Sequence, residues 1–427
     1  MSDQRAAPPP SAAAPHRGFR GTCTTTRTAC RTCGSARLAL LVDYGQMPLA
    51  GGFLTREELG CQAAFPLRLA RCEACTEMQI LDVVPPSEIF TQYSYVSSTT
   101  RTLIDHFAAM GSEIVAQEQA AGRLVVEFGC NDGVLMRPLR AAGARVAGVD
   151  PSDVAARASR ADGWPLVQAY FDASSAARVR AEHGAARIVT GNNVFAHVDD
   201  LHAIVEGVTT LLEPEGVFIF EVQYQGDLLA LVQYDTVYHE HVCYHSLAAL
   251  SRLLEGHALR IVDVKRIPIH AGSVRVTVAR AGTPRREAPV VGEMLEAERG
   301  WRVDRFPALV EDRRRALKAL VVELRAAGKR VVGYGAAGRS TILLNFCGLG
   351  PDLVEYVVDM SPLRYGKYVP GVSIPIVPPE TFHASPPDVA IMTAWNYEDE
   401  IVKKEAAFLR AGGAFIVPLP DVRVVTS

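Results

Sequence analysis

The segment Tyr234–Leu247 concentrates side chains that can move protons. Its fourteen residues include three histidines, two acids and three tyrosines. A histidine has an ordinary pKa near 6.5, so it can act as a general base close to neutral pH. Glu240 can orient and activate such a base, and a tyrosine hydroxyl can stabilise an oxyanion. The segment therefore predicts proton abstraction from a substrate.

Two other roles for this segment stay open beside the general base. His239 and His241 are two positions apart, a spacing that places both on one face of a strand but separates them on a helix. On a strand, the pair predicts a second metal site. Any single histidine of the three can also be structural.

A strand-like run ends in Glu127–Gly133, where acidic and amide side chains crowd a glycine turn. A dinucleotide loop instead brings bare backbone close to a pyrophosphate at a helix N-terminus. Acidic and amide groups suit a ligand that carries an ammonium and a sulfonium, and S-adenosylmethionine has both. We predict that this turn binds S-adenosylmethionine, with another nucleotide at a glycine turn as the alternative.

Later strand ends complete the predicted cofactor site. Asp150 ends the next strand-like run, where an acidic side chain can accept both ribose hydroxyls. Gln168 lies in a segment that would border the adenine, and a further strand would end beneath the methionine moiety. The predicted cofactor-binding residues are Glu127, Gly129, Asn131, Asp132, Gly133, Asp150, Gln168, Asn192 and Asn193.

Two Cys-x-x-Cys pairs offer four thiolates. In a chain without a secretory signal, such pairs favour a metal over disulfides. Zinc binds four cysteines tetrahedrally, and a site of this kind leaves no open position for water or substrate. We predict a structural zinc site, with redox chemistry or unrelated thiols as alternatives. Its ligands would be Cys30, Cys33, Cys72 and Cys75.

The length and composition of the chain limit the number of domains and the kinds of partner that can be expected around these groups. The 427 residues allow two or three domains with a substantial core, and 48% hydrophobic content with a net charge of −3 indicates neither a nucleic-acid nor a membrane partner. No apolar run approaches the roughly 18 residues of a membrane span. The first residues lack the apolar core of a secretory signal. We expect a soluble, cytoplasmic enzyme.

The predicted fold class is α/β, with the chain divided into four regions. Residues 1–28 are predicted to form a disordered tail, and 29–90 a zinc-binding module. Strand-like and helix-like segments alternate through 91–284, behind a helix predicted near Thr99–Gln119, as in βαβ units around a parallel sheet. Residues 285–427 are predicted to hold bridging helices and a second Rossmann-like domain.

In the order of its motifs, the chain resembles the S-adenosylmethionine-dependent C-methyltransferases of nucleotide-linked deoxysugars, which install branches in antibiotic sugars. The resemblance covers nearly the whole chain after the tail. Besides the cysteine pattern, the matching segments are Asp43–Ala50, Tyr93–Ser98, Glu127–Gly133, Glu221–Tyr224, Tyr238–His241, Tyr334–Ala336, Leu343–Asn345, Lys367–Gly371 and Trp395–Asn396.

The resemblance implies a zinc-binding N-terminal module, a class I methyltransferase core and a C-terminal Rossmann-like module. It implies a dTDP-linked 4-keto-6-deoxyhexose as substrate, and it makes Glu240–His241 the Glu-His pair with His241 as base. Tyr93 and Tyr95 fall in the segment that lines the family's sugar pocket. The predicted substrate-binding residues are Tyr93, Tyr95, Glu221, Gln223, Tyr224, Gly335, Arg339 and Lys367.

Carbon methylation requires a carbon nucleophile, because an sp³ C–H bond does not attack a sulfonium. A ketone at C4 acidifies the C–H bonds at C3 and C5. His241 would remove that proton, while Tyr238 or a nearby donor would hold the enolate oxygen. Alternatives are an NAD(P)-dependent or bifunctional nucleotide-sugar oxidoreductase, a non-catalytic zinc scaffold, and an O- or N-methyltransferase of a natural-product pathway.

A second glycine turn, Gly333–Gly338, fits the G-x-G-x-x-G pattern, and Asp359 ends the following strand-like run. That pattern is typical of NAD binding. A helix N-terminus would also hold the diphosphate of a nucleotide-sugar, with charge from Arg339 and Lys367. We favour diphosphate or nucleotide binding over an architectural loop and over NAD. Arg339 lies where the family more often has a Pro-Ala-Lys-Gly pattern.

Overall fold

The computed structural model describes residues 24–85, 88–89 and 96–426. Tyr93, Tyr95 and most of the predicted tail lie outside these residues. In the described part of the chain, no helix is long and apolar enough to cross a membrane.

The N-terminal region is built from short antiparallel strands. Pairing is antiparallel between β2 and β3 and between β3 and β4, and the turns at the ends of this sheet carry the cysteine pairs. The strands are β1 (Thr25–Thr26), β2 (Leu38–Met47), β3 (Phe65–Cys72), β4 (Met78–Ile80) and β5 (Asp82–Val83).

The middle of the chain alternates strands and helices, as its pattern predicts. The predicted first helix is confirmed as α1 (Arg101–Gln117), whose Thr100 side chain accepts a hydrogen bond from Leu103 N as an N-cap. The elements that follow are β6 (Leu124–Phe128), α2 (Met136–Ala141), β7 (Arg145–Val149), α3 (Asp153–Asp162), β8 (Leu166–Val167), α4 (Ala173–His183), β9 (Ala186–Asn192), α5 (Leu201–Leu211), β10 (Leu212–Gln223), α6 (Gln225–Ala230), β11 (Cys243–Tyr244), α7 (Leu247–Glu255), β12 (Leu259–Ile267) and β13 (Ser273–Arg280).

These strands form a seven-stranded sheet in the order β12-β13-β10-β9-β6-β7-β8, in which only β13 runs antiparallel to the others. Every residue of β6 is buried, because helices cover both faces of the sheet. The parallel strands end at one common edge, where open α/β sheets bind their ligands. This is the order and direction of a class I methyltransferase sheet, so the predicted core is confirmed.

The strand β11 does not belong to this sheet. It pairs antiparallel with β4, which gives the N-terminal sheet the order β11-β4-β3-β2. The histidine-rich segment therefore runs from the core to the N-terminal region, a long-range link that its local sequence does not reveal.

The C-terminal region contains the predicted bridging helices and a second α/β sheet. Its six strands have the order β16-β15-β14-β17-β18-β19, and only β19 runs antiparallel. The elements are α8 (Pro289–Arg299), α9 (Phe306–Ala326), β14 (Val331–Tyr334), α10 (Gly338–Cys347), β15 (Val357–Val358), β16 (Ile376–Val377), α11 (Pro379–Ala384), β17 (Val389–Met392), α12 (Glu398–Lys404), α13 (Ala406–Arg410), β18 (Ala414–Val417) and β19 (Arg423–Val425).

The three regions meet at an aromatic junction. The rings of Tyr44 in β2 and Phe346 in α10 have centroids 4.7 Å apart, and Tyr234 lies 5.7 Å from Phe346. The Tyr44 hydroxyl donates to the Tyr234 carbonyl at 3.1 Å. Because these residues come from three regions, the junction holds the histidine-rich segment between them.

Candidate active site

The first glycine turn connects β6 to α2 at the carboxyl edge of the core sheet. Gly129 has a φ of 66°, and a Cβ there would overlap the Val194 side chain, so conformation and space both require glycine. Asp150 accepts hydrogen bonds from Asn131 N at 2.9 Å and from Ser152 N at 2.8 Å. Asp150 therefore fixes the turn against the next strand.

Several buried acceptors in and beside this turn lack a partner in the described part of the chain. They are Oε2 of Glu127, Oδ1 of Asp132 and Oδ1 of Asn192. Burial, with the nearby charge of Asp150, raises the pKa of Glu127 well above its ordinary value. An unsatisfied buried acceptor costs about 1–3 kcal/mol, which a cationic ligand with N–H donors relieves. These residues fit S-adenosylmethionine, and its chemistry there would be to supply an electrophilic methyl group.

The other predicted cofactor residues share this edge. Asn193 follows β9 with a φ of 55° and donates from its backbone to the Glu221 carbonyl at 2.8 Å. Gln168 is exposed after β8, where its amide donates to Asp153 at 3.2 Å. Gly133, with a φ of 77°, lies against Trp164. The fold thus brings all the predicted cofactor residues together, while their individual contacts with the cofactor stay predictions.

His241 is held in one tautomer. Its Nδ1 lies 3.0 Å from the Thr236 carbonyl, which can only accept, so Nδ1 carries the proton. Its Nε2 then accepts from the Tyr238 hydroxyl at 3.0 Å. Burial lowers the pKa of His241 well below its ordinary value, and the neighbouring His197 and the charge of Arg339 disfavour its protonation further. The imidazole is therefore neutral at neutral pH, as a general base requires.

His197 is a site residue that the sequence reasoning did not select. It follows β9, and its ring centroid lies 4.8 Å from that of His241. Its Nδ1 donates to the Glu240 carbonyl at 2.6 Å, and Val242 N donates to the Ala196 carbonyl at 2.9 Å. These bonds attach the histidine-rich segment to the cofactor edge of the core sheet.

Glu240 does not take the orienting role expected for it. Its Oε1 accepts from Gly51 N at 3.3 Å, while its Oε2 is buried without a hydrogen bond in the described part of the chain. The carbonyl of Thr236, not the Glu240 carboxylate, holds the ring of His241. Burial raises the pKa of Glu240, and a role for it in catalysis stays a prediction.

The other two histidines of the segment have separate partners. His239 Nε2 lies 3.1 Å from the Pro66 carbonyl, and His245 Nδ1 lies 2.9 Å from a carboxylate oxygen of Glu77. Residues 24–85, 88–89 and 96–426 contain one group of three or more clustered metal-ligating side chains, and it is the cysteine group. The structure therefore gives the alternative of a second metal site in this segment no support.

Near the end of β10, Glu221 is paired within the protein. Its carboxylate is buried between His106 Nε2 at 2.8 Å and Arg275 Nε at 2.8 Å. His106 and Arg275 were not among the predicted site residues. The substrate contact that the resemblance implies for Glu221 would have to share these hydrogen bonds.

Two further residues implied in substrate binding bond to the protein itself. The Gln223 amide donates to Gln233 Oε1 at 3.0 Å and to Thr236 Oγ1 at 3.3 Å. The buried Tyr224 hydroxyl donates to Glu298 at 3.0 Å. Gln223 therefore supports the residue that orients His241, whereas Tyr224 joins the core to the bridging helix α8. No contact of either side chain within the described residues supports the predicted substrate role.

The second glycine turn connects β14 to α10. Gly335 has a φ of 103°. Asp359 accepts from Ala336 N at 2.6 Å and from Ser361 N at 2.7 Å, and Arg364 lies 3.0 Å from it. A Cβ on Gly338 would lie 3.5 Å from Ala50. The chain itself therefore covers the start of α10.

Arg339 lies between the second turn and the histidines. Its side chain donates to Asn396 at 2.9 Å, lies 3.7 Å from Asp235, and stacks over the Trp395 ring with its guanidinium carbon 5.1 Å from the centroid. Lys367 follows in a loop where the next residue, Tyr368, pairs with Leu54. The two predicted cations thus lie on the C-terminal side of the interface between regions.

The four predicted zinc ligands come together. The sulfurs of Cys30 and Cys75 are 3.5 Å apart, those of Cys33 and Cys72 are 3.6 Å apart, and all four lie within 4.8 Å of one another. Four sulfurs at about 2.3 Å from a tetrahedral zinc would be separated by about 3.8 Å. The set therefore fits a closed structural zinc site.

An open cavity lies apart from the histidines. It has a volume of about 760 Å³ and lies between β2, α9 and the carboxyl end of α10. Its polar lining includes Gln46, Arg314 and Asn345. None of these three residues belongs to the catalytic or cofactor set.

Comparisons with known proteins agree with this architecture. Family models match for a zinc binding domain at residues 30–90, a methyltransferase domain at 100–264 and a C-methyltransferase C-terminal domain at 268–420. The C-methyltransferase NovU of Streptomyces niveus is 39% identical over 406 residues, which are 93% of this chain and 97% of that protein. A ubiquinone biosynthesis O-methyltransferase of a Methylobacterium species is 26% identical over 44% of this chain and 78% of its own.

Among solved structures, magnesium protoporphyrin IX methyltransferase from Synechocystis, with bound S-adenosylmethionine, is 17% identical with a TM-score of 0.33. The match covers 42% of this chain and 79% of that one. The CcbJ methyltransferase from Streptomyces caelestis is 17% identical over 46% of this chain and 96% of its own, with a TM-score of 0.34.

Proposed function

Because this chain belongs to the family of S-adenosylmethionine-dependent C-methyltransferases, we propose that it methylates a carbon next to the 4-keto group of a dTDP-linked 6-deoxyhexose. The methylated carbon is C3 or C5. His241 removes the proton from that carbon, and the resulting enolate accepts the methyl group. The two cofactors are S-adenosylmethionine and a structural zinc ion.

The observation that carries this proposal is the state of His241. Its Nδ1 proton is bonded to the Thr236 carbonyl, and its pKa is lowered by burial, so the ring is neutral and its basic nitrogen is Nε2. A carbon acid needs such a base, whereas oxygen and nitrogen acceptors often react without one. The geometry therefore favours carbon methylation over O- or N-methylation.

Tyr238 has two successive tasks in this mechanism. Before reaction, its hydroxyl donates to Nε2 of His241 at 3.0 Å and holds the ring in place. When the acceptor binds, that hydroxyl turns to the 4-keto oxygen and exposes Nε2 to the acidic C–H bond. A donor on the developing enolate oxygen stabilises negative charge where it forms.

The nature of the acceptor rests on the order of the motifs and on charge near the base. Arg339, with a side chain 11% exposed, brings a cation to the same cleft and lowers the pKa of His241. The positive charge of Arg339 favours the binding of an anionic, nucleotide-linked acceptor. We assign the reaction to the cytoplasm, since a four-thiolate zinc site is best maintained in a reducing compartment.

Hydrogen exchange at carbon tests the base directly. The enzyme is incubated in D₂O with S-adenosylhomocysteine and a dTDP-4-keto-6-deoxyhexose, and NMR follows the C3 and C5 protons. We expect one proton to be lost faster than in an enzyme-free control, and the position names the methylated carbon. His241→Asn is expected to abolish exchange and turnover while S-adenosylhomocysteine affinity stays within a few-fold.

His202→Asn is the matched control, because His202 lies on α5 and bonds to His257 at 2.8 Å, outside the histidine segment. It is expected to exchange at the wild-type rate. Absence of exchange in the wild type, with sugar binding confirmed, would contradict carbon methylation of this substrate. Near-normal exchange in His241→Asn would remove His241 as the base.

A further inference from the structure

The hairpin turn between β12 and β13 holds an unusual backbone. Three successive residues have positive φ angles: 56° at His270, 66° at Ala271 and 118° at Gly272. Residues other than glycine pay roughly 1–3 kcal/mol for such a conformation, and it persists only where its surroundings impose it. Strain of this kind concentrates at ligand sites, so the turn is a candidate for function.

The turn is held in place by side chains that also support the catalytic base. Gln233 donates from its amide to the Ala271 carbonyl at 2.8 Å. The Gln223 amide donates to both Gln233 and Thr236. Because the Thr236 carbonyl orients His241, one pair of glutamines braces both the strained turn and the base.

The turn lies at the cofactor edge of the core sheet. Ser273, the first residue of β13, pairs with Gln223, the last residue of β10. Since β10 runs parallel to β9, the turn lies at the same edge of the sheet as the carboxyl end of β9, which Asn193 and His197 follow. Ligands of open α/β sheets bind at this edge.

The imidazole of His270 is partly exposed, and it has no hydrogen bond to the protein in the described part of the chain. Its pKa is lowered to about 4, chiefly by burial and then by the charge of Arg339. Glu221 acts in the opposite direction and raises this pKa, whereas His106 and His197 lower it. The ring is therefore neutral, and both of its nitrogens are available to a ligand.

We propose that His270 is a second histidine that contacts the acceptor, with its neutral imidazole hydrogen-bonded to an oxygen substituent next to the reacting carbon. This proposal rests on the proposed function, because it assumes a sugar acceptor in the cleft beside His241. His241 then contacts the acceptor from the histidine-rich segment, and His270 contacts it from the hairpin turn. Gln223 and Gln233 hold these two segments in fixed positions relative to each other. His270 selects and orients the acceptor without taking a proton from it.

The test uses His270→Gly, because glycine adopts a positive φ without strain and the variant should fold at least as well as the wild type. We expect kcat/KM for the acceptor to fall by about 30-fold, as for loss of one hydrogen bond, with S-adenosylhomocysteine affinity within about twofold. Added imidazole at tens of millimolar is expected to restore part of the activity. A role limited to structure would give no such rescue.

Ala258→Gly is the matched control. Ala258 has a φ of 54° and lies after α7, so the substitution relieves similar strain away from the site. It is expected to keep wild-type kinetics. A second variant, His270→Asn, also tolerates the left-handed backbone, and is expected to lose acceptor affinity to a lesser degree.

Proton exchange separates this proposal from the proposed function. If the wild type exchanges the acceptor proton but His270→Gly keeps wild-type kcat/KM, the role of His270 is overturned and the reaction stands. The same conclusion follows if activity is lost without rescue by imidazole and His270→Asn is fully active. If the wild type itself exchanges no proton although it binds the sugar, the proposed function fails first.

Discussion

The two glycine turns of this protein are anchored by the same pattern of hydrogen bonds but have opposite side-chain surroundings. Gly129 N and Gly335 N each donate to the end of the next strand at 2.8 Å. Asp150 and Asp359 each accept one hydrogen bond from the glycine turn and a second from a serine two residues further on. These shared hydrogen bonds are a common way to join a strand to a helix.

The difference lies in which polar atoms are satisfied. Around the first turn, acceptors of Glu127, Asp132 and Asn192 are buried without partners in the described part of the chain. At the second turn, Asp359 has an additional partner in Arg364, and Gly338 is covered by Ala50. A ligand would complete the first turn, whereas the second is completed by the protein. We therefore expect the satisfaction of buried side chains, and not the glycine spacing, to distinguish a cofactor-binding turn from one that the protein completes itself.

The largest expected difference comes from removing the two equivalent acids. Asp150→Ala should weaken S-adenosylmethionine binding by at least about 100-fold, near 2.7 kcal/mol, because it removes both the predicted ribose acceptor and the support of the turn. Asp359→Ala should leave that affinity within about threefold. Isothermal titration with S-adenosylhomocysteine measures both values.

Circular dichroism on both variants serves as the folding control for this pair. Equal losses of cofactor affinity would mean that the two turns are not functionally distinct. Measurable NADH binding by the wild type, lost in Asp359→Ala, would also reverse the comparison and revive the oxidoreductase alternative.

Gly335→Ala should test the second turn through stability alone. A Cβ there would lie 2.6 Å from the Ala394 Cβ, on a backbone with a φ of 103°. We expect the free energy of unfolding to fall by about 2–3 kcal/mol, from overpacking plus the positive φ. Denaturant unfolding measures it, and cofactor affinity should not change.

Gly412→Ala is the control for Gly335→Ala, because Gly412 has a φ of 93° and a Cβ added there would meet no atom within 4 Å. It should cost only about 1 kcal/mol, the penalty of the backbone conformation. If the two variants are equally stable, contact with Ala394 is not what requires glycine at position 335.

The pH dependence of cofactor binding should sharpen the role of Glu127. Burial raises the pKa of this carboxyl in the free protein. A bound ammonium favours the carboxylate and lowers that pKa, so binding releases a proton and affinity rises with pH until it exceeds the free-protein pKa. We expect up to about a tenfold gain per pH unit above the ordinary carboxyl pKa of about 4.3, by titration with S-adenosylhomocysteine.

Glu127→Gln should bind more weakly than the wild type at neutral pH and lose this dependence. Calorimetry in buffers of different ionisation enthalpy should then detect no proton release. An unchanged slope in the variant would assign the titration to another group of the site.

The residues that could be predicted from the sequence are those whose position follows from the strand or segment in which they lie. Asp150 and the turn at Glu127–Gly133 follow strand-like runs, so their meeting at one sheet edge follows from βαβ topology. His241 was identifiable because its segment is rich in histidine, acid and tyrosine. These predictions required no knowledge of packing.

The residues that sequence reasoning missed depend on long-range packing. His197 follows a strand-like run that was predicted to end at the cofactor site, so its position could have been recognised. His270 belongs to a hairpin turn whose sequence carries no motif. The hydrogen-bond partners of two buried side chains were also not predicted. The Glu240 carboxylate accepts from Gly51 N, and the Tyr224 hydroxyl donates to Glu298. Which partner a buried group takes is decided by elements distant in sequence, so residue type alone cannot specify it.

The smallest expected effect concerns Lys367, and it tests whether this side chain lies near the diphosphate of the substrate. Lys367→Ala should raise KM for a dTDP-linked acceptor by about three- to fivefold if its ammonium faces the diphosphate, since a solvent-accessible ion pair contributes under about 1 kcal/mol. Arg364→Ala is the matched control, because Arg364 is already paired with Asp359 and stacks over Phe53 with its guanidinium carbon 5.3 Å from the ring centroid. It should leave KM unchanged. Kinetics at two salt concentrations measure both variants, and a Lys367→Ala enzyme with wild-type KM would show that Lys367 does not face the diphosphate.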